Sequence, residues 1–339
     1  MRPLMTSSTF AENSATPTRD SRKVSPEKLG GIQKLWMWLS NDPALAGHYT
    51  SAEAGDIDWY RAVPFIAVHL ACFAVILTGI SAVAVGVAVA LYVVRMFFIT
   101  AIYHRYFSHR SYRAGRIVQF AMAVLGCTAG QRGPLWWAGH HREHHLTSDT
   151  PDDPHSPLQH GFLYSHTLWF LTKGSFVTPS HRVRDWYRFP ELVWLERFEW
   201  VPFVGLGALC FGLGVLLESY APQLGTTGPQ LLVVGFLWSS VALYHGTYST
   251  NSIAHKYGRR RFDTSDDSRN NGWVAFLTLG EGWHNNHHRF PVSARHGLSR
   301  WELDPTWWGL RILCRMGLIR DLRVVPKSVM NAIRLGKQQ

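Results

Sequence analysis

The chain has 339 residues, 46% of them hydrophobic, and its 34 Lys and Arg against 23 Asp and Glu leave a formal net charge of +11. Its four cysteines, Cys72, Cys127, Cys210 and Cys314, stand far apart with no CxxC pair, which supports neither an iron–sulfur site nor a disulfide framework. The basic excess asks for an anionic partner, and its distribution along the chain selects which.

Residues 1 to about 30 mix Ser, Thr, Pro and charges with no sustained apolar run, so they read as a disordered tail and not as a secretory signal. The tail, turning amphipathic, reaches residue 56; a folded unit is expected over 57–325 and a second tail over 326–339. Apolar runs at 63–80 and 81–101, broken near Thr78-Gly79-Ile80-Ser81, are each long enough to cross a hydrocarbon core of about 30 Å. Runs at 200–217 and 231–248, joined by Ala221-Pro222-Gln223-Leu224-Gly225, repeat the pattern. No Lys or Arg falls between Val63 and Val94 or between Trp200 and His255, so both hairpin tips point away from the cytoplasm and both termini face it. The positive charge then lies against anionic headgroups, and nucleic acid is unnecessary as a partner. The expected architecture is an all-α integral membrane protein, four transmembrane helices in two hairpins with a cytoplasmic helical cap. Arg95, near the cytoplasmic end of the second span, is expected to snorkel to the headgroups. Val118 to Ala129 is too short to span and reads as lying in the interface or under the cytoplasmic domain, and Pro305 to Leu322 as lying along the membrane surface. Gly205-Leu206-Gly207 with Gly212 lies inside a span and reads as helix packing, not as a dinucleotide loop.

The chemistry lies in the 18 His. His104 and His109 close the second span, His141-Arg-Glu-His144-His145 follows the interfacial segment, Asn251 and His255 end the fourth span, and His284-Asn-Asn-His287-His288 lies beyond it. Residues at i, i+3 and i+4 project from one helix face, so each HxxHH is expected to offer three imidazoles to a common point. Nine imidazoles exceed what one ion takes, and two metals are the economical reading. Imidazole suits iron, copper, nickel and zinc alike; redox-active ions beside a bilayer suit the oxidation of a lipid, with iron and oxygen as the chemistry. A metal transporter would carry ionisable residues along its spans, and these spans are nearly free of them. His69 is expected as a buried polar contact and His48, His181 and His296 as surface residues. His140, His155, His160, His166 and His245, with Asp152, Asp153 and Glu281, are candidates to orient the imidazoles.

These motifs, with Gly280-Glu281-Gly282 ahead of the last, resemble the histidine boxes of the membrane fatty acid desaturases, most closely the delta-9 acyl-coenzyme A type and its bacterial members, from about residue 60 to 325. The resemblance implies a binuclear iron centre with His104, His109, His141, His144, His145, His255, His284, His287 and His288 as ligands and Asn251 acting through water. It implies an acyl-CoA desaturase with dioxygen as co-substrate, a cis-monounsaturated product formed at the delta-9 position, and a fatty-acyl substrate expected on coenzyme A, with a lipid-linked chain as the alternative carrier. By position Gln131, Trp137, Thr247 and Tyr248 would hold the bent chain in a tunnel, with Tyr248 standing where the family carries Trp, and Arg142 would lie near the coenzyme A headgroup. His140 departs from an acidic residue in the animal enzymes. Electrons would come from a separate ferredoxin, rubredoxin or b-type cytochrome at the cytoplasmic face of what is expected to be a bacterial inner membrane. A hydroxylase of the same superfamily would share the metals.

Overall fold

The computed structural model describes residues 30–41 and 53–334, and these are mostly helical. A short amphipathic helix, α1 (Gly31–Leu39), precedes two hairpins and a cap. The first hairpin pairs α2 (Trp59–Thr78) with α3 (Ala82–Ser108). Gly79 breaks it at φ +69, and the Ser81 hydroxyl caps α3 by accepting from the Ala84 N–H at 3.1 Å. In the cap, α4 (Arg116–Cys127) lies beside α3, followed by α5 (Pro134–Thr147) and α6 (Pro190–Arg197). The second hairpin pairs α7 (Trp200–Tyr220) with α8 (Gly228–Ser252), and α9 (Gly272–Leu277), α10 (His284–Arg289), α11 (Pro305–Arg315) and α12 (Lys327–Arg334) complete the cap. The hairpin tips are tied together by Ser81 and Thr226, whose hydroxyls are 2.7 Å apart, and by Gln230 Nε2, which donates to the Thr78 carbonyl at 3.1 Å.

The four spans match the four apolar runs, but their ends do not. Sequence periodicity ends the second span at residue 101, whereas α3 continues to Ser108 as a π-helix from Phe98. The wider turn carries the chain out of the lipid and into the cap, where Tyr103, Tyr106, Phe107, Tyr112, Trp186 and Leu135 form the core. As expected, α4 is too short to span; it buries Met122, Ala123 and Cys127 while Ile117 is exposed. Gly126 allows this contact, since a Cβ there would fall 2.1 Å from the Tyr103 ring.

Arg95 does not snorkel. It is 1% exposed, and its guanidinium donates to the Ser239 and Ser240 hydroxyls at 2.5 and 2.8 Å and to the Leu91 carbonyl at 3.2 Å. The reason is the packing of α3 along α8, which places two hydroxyls opposite a side chain that would otherwise have to climb to the interface. A short strand pair, β1 (Arg113–Ala114) with β2 (Ile319–Arg320), joins the start of the cap to its end in antiparallel register, Arg113 opposite Arg320.

Candidate metal centre

The π-helical end of α3 makes the first pair of imidazoles possible. The His109 N–H donates to the His104 carbonyl five residues back, at 3.3 Å, and this wider turn brings His104 and His109 to one side. Proline at N1 starts α5 after Gly133, and α5 then presents His141, His144 and His145. The expectation that each HxxHH serves one point fails. His141 and His145 join one group while His144 joins another, and α10 divides likewise, His287 into the first and His284 with His288 into the second. At 100° per residue, i and i+4 are about 40° apart but i+3 and i+4 about 100° apart, so each motif straddles two centres.

The first group is His104, His109, His141, His145 and His287; the second is His144, His255, His284 and His288; in each, the nitrogens lie within 4.8 Å of one another. In the first, Nε2 atoms of His104 and His287 are 3.0 Å apart, His109 and His141 2.7 Å, and His145 and His287 2.9 Å. In the second, His284 Nε2 is 2.9 Å from His255 and 3.0 Å from His288, and His144 Nε2 is buried with no hydrogen-bond partner among the described residues.

Behind four of these rings sits a carboxylate. Glu281 takes His104 Nδ1, Asp153 takes His144 Nδ1 at 3.1 Å, Asp149 takes His255 Nδ1 at 2.8 Å, and Asp266 takes His288 Nδ1 at 2.7 Å. Each pins the proton on Nδ1 and turns the Nε2 lone pair inward. Burial alone would raise the Glu281 carboxyl, yet His104, His296 and Arg105 hold it well below the carboxylate range. Burial, reinforced by neighbouring imidazoles, pushes His109, His141, His145, His284 and His287 well below the ordinary value and His288 to about 4. Neutral rings whose lone pairs converge without a donor between them repel one another unless a cation sits among them, and all-nitrogen donor sets of this kind fit iron, copper, nickel or zinc.

A cavity of about 620 Å³ opens beside this centre, and a smaller one of about 30 Å³ adjoins it; Trp137, His141, Thr247 and Asn251 line both. Gln131 and Tyr248 line the larger. Gly130, at φ +66, turns the chain so that Gln131 Nε2 donates to Thr247 Oγ1 at 3.0 Å, and Trp137 stacks on His141 at 5.1 Å between centroids.

Several sequence expectations need correction. Arg142, which the resemblance puts near a coenzyme A headgroup, has its guanidinium bonded to Asp185 at 2.8 Å and to the carbonyls of Phe107, Ser108 and Arg182, and so clamps α5 to the end of α3. Asp152 is exposed, and the neighbouring Asp153 does the orienting. His296 is not a surface residue; it is 1% exposed, with its ring 4.5 Å from that of His287 and Nδ1 3.3 Å from Glu281. His181 is exposed, as expected, and His48 lies outside the described residues. His155 packs against His144, His160 donates to the Asp153 carbonyl and His140 lines the cavity. His166 and His245 instead form a separate chain with the half-buried His69 along the lipid side. Sequence reasoning missed Asp149 and Asp266, which lie in irregular loops with no period to mark them, although both stand within a short reach of a histidine motif.

Compared with known proteins, residues 80–321 match the family model described as fatty acid desaturase. The chain is 37% identical over 279 residues to an sn-1 stearoyl-lipid 9-desaturase of Anabaena variabilis, covering 80% of this chain and 96% of that protein. It is 36% identical over 276 residues to an sn-1 stearoyl-lipid 9-desaturase of Synechocystis, covering 78% and 80%. It is 37% identical over 238 residues to an acyl-CoA 5-desaturase of Anemone leveillei, covering 68% of each chain.

Proposed function

The chain belongs to the fatty acid desaturase family, and on that premise we propose that it introduces a cis double bond at the delta-9 position of a saturated acyl chain carried by a membrane glycerolipid. The observation that carries the reading is the pair of converging nitrogen groups, with Asn251 beside them, facing a cavity able to house an acyl chain. The first five nitrogens would hold one iron; the other four, with Asn251 through water, would hold the second. Two bound irons would supply the oxidation, in which dioxygen, two electrons and two protons take two hydrogens from adjacent methylenes and leave the alkene and two waters.

The protein's own residues do the rest. Glu281, Asp149, Asp153 and Asp266 fix ring orientation, so the donor set is preorganised. The Gln131–Thr247 bond crosses the cavity wall beside Trp137 and would set the bend of the chain against His141 and Asn251, choosing the methylene pair by position, because apolar walls alone discriminate weakly. The relatives' names include both lipid and acyl-CoA desaturases; the lipid carrier is supported by the two stearoyl-lipid 9-desaturases, which are matched over 96% and 80% of their own length against 68% for the acyl-CoA enzyme. No CxxC cluster is present in the chain, so electrons would arrive from a separate ferredoxin, rubredoxin or b-type cytochrome docking on the cytoplasmic face.

Expression in a host without its own desaturase, supplied with ferredoxin and its reductase, tests this by mass spectrometry of the lipids. The expected result is a cis-monounsaturated acid that appears first in glycerolipids and disappears in a His144→Ala, His145→Ala variant. Appearance first in the acyl-CoA pool would move the carrier to coenzyme A, and hydroxy acids would establish an oxygenase.

A further inference from the structure

The larger cavity reaches sideways as well as toward the nitrogen groups. Ala67 and Val68 of α2, Phe203 and Val204 of α7, and Trp38 and Leu39 of α1 line it on the side facing the bilayer. Both α2 and α7 lean on α8, and they make no extended packing contact with each other among the described residues. Ala62 is the single buried residue of Trp59–Ala71, and Val204, which lines the cavity, is 54% exposed. Two membrane-spanning helices therefore flank a slot that joins hydrocarbon to the cavity.

The α1 helix roofs that slot. On one side the rings of Trp38 and Tyr60, the latter on α2, are 5.9 Å apart; on the other, Trp200 Nε1 at the start of α7 donates to the Leu39 carbonyl at 2.6 Å, and Asn41 Nδ2 donates to the Arg197 carbonyl at 3.3 Å. Its outer face exposes Ile32, Leu35 and Trp36, as an interfacial helix does. Beneath the roof the lining turns polar: Arg61 lies beside Asp58, Arg132 beside Glu199, and both guanidinium groups face the ring of Phe176, at 3.3 and 4.2 Å. Polar above and apolar below is the polarity of a glycerolipid at the edge of a bilayer, with ester and headgroup at the interface and acyl chain in the hydrocarbon.

We propose that the slot between α2 and α7 is a lateral entry through which an acyl chain still esterified to a bilayer glycerolipid slides toward the nitrogen groups, with α1 as its roof; this rests on the lipid-desaturase reading above. The chain never leaves an apolar environment on this route, and its headgroup remains at the interface beside Arg61 and Arg132.

Photolabelling tests the route without turnover. The iron-loaded protein is placed in phosphatidylcholine vesicles containing a phosphatidylcholine whose saturated chain carries a diazirine, irradiated, and mapped by peptide mass spectrometry. In the unaltered protein the label is expected on the cavity segments that include Trp137 and Thr247. In Ala67→Trp and Val204→Trp, which place an indole in the slot at lipid-exposed positions, cavity label is expected to fall at least tenfold with melting temperature and iron content retained. Leu209→Trp, lipid-exposed on α7 but not lining the cavity, is expected to label like the unaltered protein. Cavity labelling by the phospholipid that survives both slot tryptophans overturns the slot and leaves the lipid reading intact. Cavity labelling by a diazirine acyl-CoA, with none from the phospholipid, overturns the lipid reading on which the slot rests.

Discussion

Both α2 and α8 are long and apolar enough to cross a bilayer, with mean hydropathies of 1.9 and 1.3, yet 6% of the apolar window of the first is buried inside the protein against 61% of the second. The difference lies in the polar residues. Ser239, Ser240, Thr247 and Asn251 punctuate α8 at positions that face Arg95, Gln131 and the metal centre, while α2 offers His69 and a lipid-facing surface. Hydropathy finds what crosses the bilayer; the placement of hydroxyls and amides within an apolar run finds what lies at the centre of the bundle. One wall of the cavity is thereby rigid and the other loosely held.

The largest effect is expected at the rigid side. His284→Ala removes a nitrogen from the group fed by the segment after α8, and is expected to abolish measurable desaturation and lower bound iron from two toward one per chain, read by elemental analysis. Asp266→Asn and Asp149→Asn leave every ligand in place but release the pinned imidazoles of His288 and His255; iron affinity is expected to fall about 10–100-fold, measured by chelator competition. Acid sharpens the same contrast in the metal-free protein. Burial sets His140, His155 and His288 at about 4, 3 and 4, against about 6.5 in an unfolded chain. The unfolded state binds these protons first, so stability is fully present above about pH 6.5 and is lost progressively as pH falls from there toward 3, which melting temperatures at stepped pH will report. Ser239→Ala with Ser240→Ala removes the two side-chain hydroxyls that Arg95 donates to and is expected to cost about 3 kcal/mol in thermal unfolding. At the loose wall, His69→Leu breaks the contact with His245 and is expected to cost less than about 1 kcal/mol; an equal cost at both sites would erase the distinction between the walls.

The spans and nine imidazoles were legible in the sequence because both follow simple periods. Partition between two centres was not, since it depends on angular offsets within α5 and α10 and on a π-helix that no apolar pattern marks. His296 and Asp266 were hidden for another reason: they sit in loops whose burial is decided by what packs over them. Arg95 misled because a charge near a span's end has two solutions, and the choice between them is made by residues on a different helix.

That choice has a consequence for biogenesis. α3 leaves the ribosome long before α8, and Ser239 and Ser240 follow Arg95 by 144 and 145 residues. In lipid alone an arginine at a helix centre costs roughly 2.5–3.5 kcal/mol on insertion scales, and one nearer the span's end, as Arg95 is, a part of that, so the first hairpin is an unsettled guest until the second arrives. Nascent chains halted before Ser239 should therefore linger at the insertion machinery or be cleared by membrane quality control, while chains that extend past Ser240 integrate and persist.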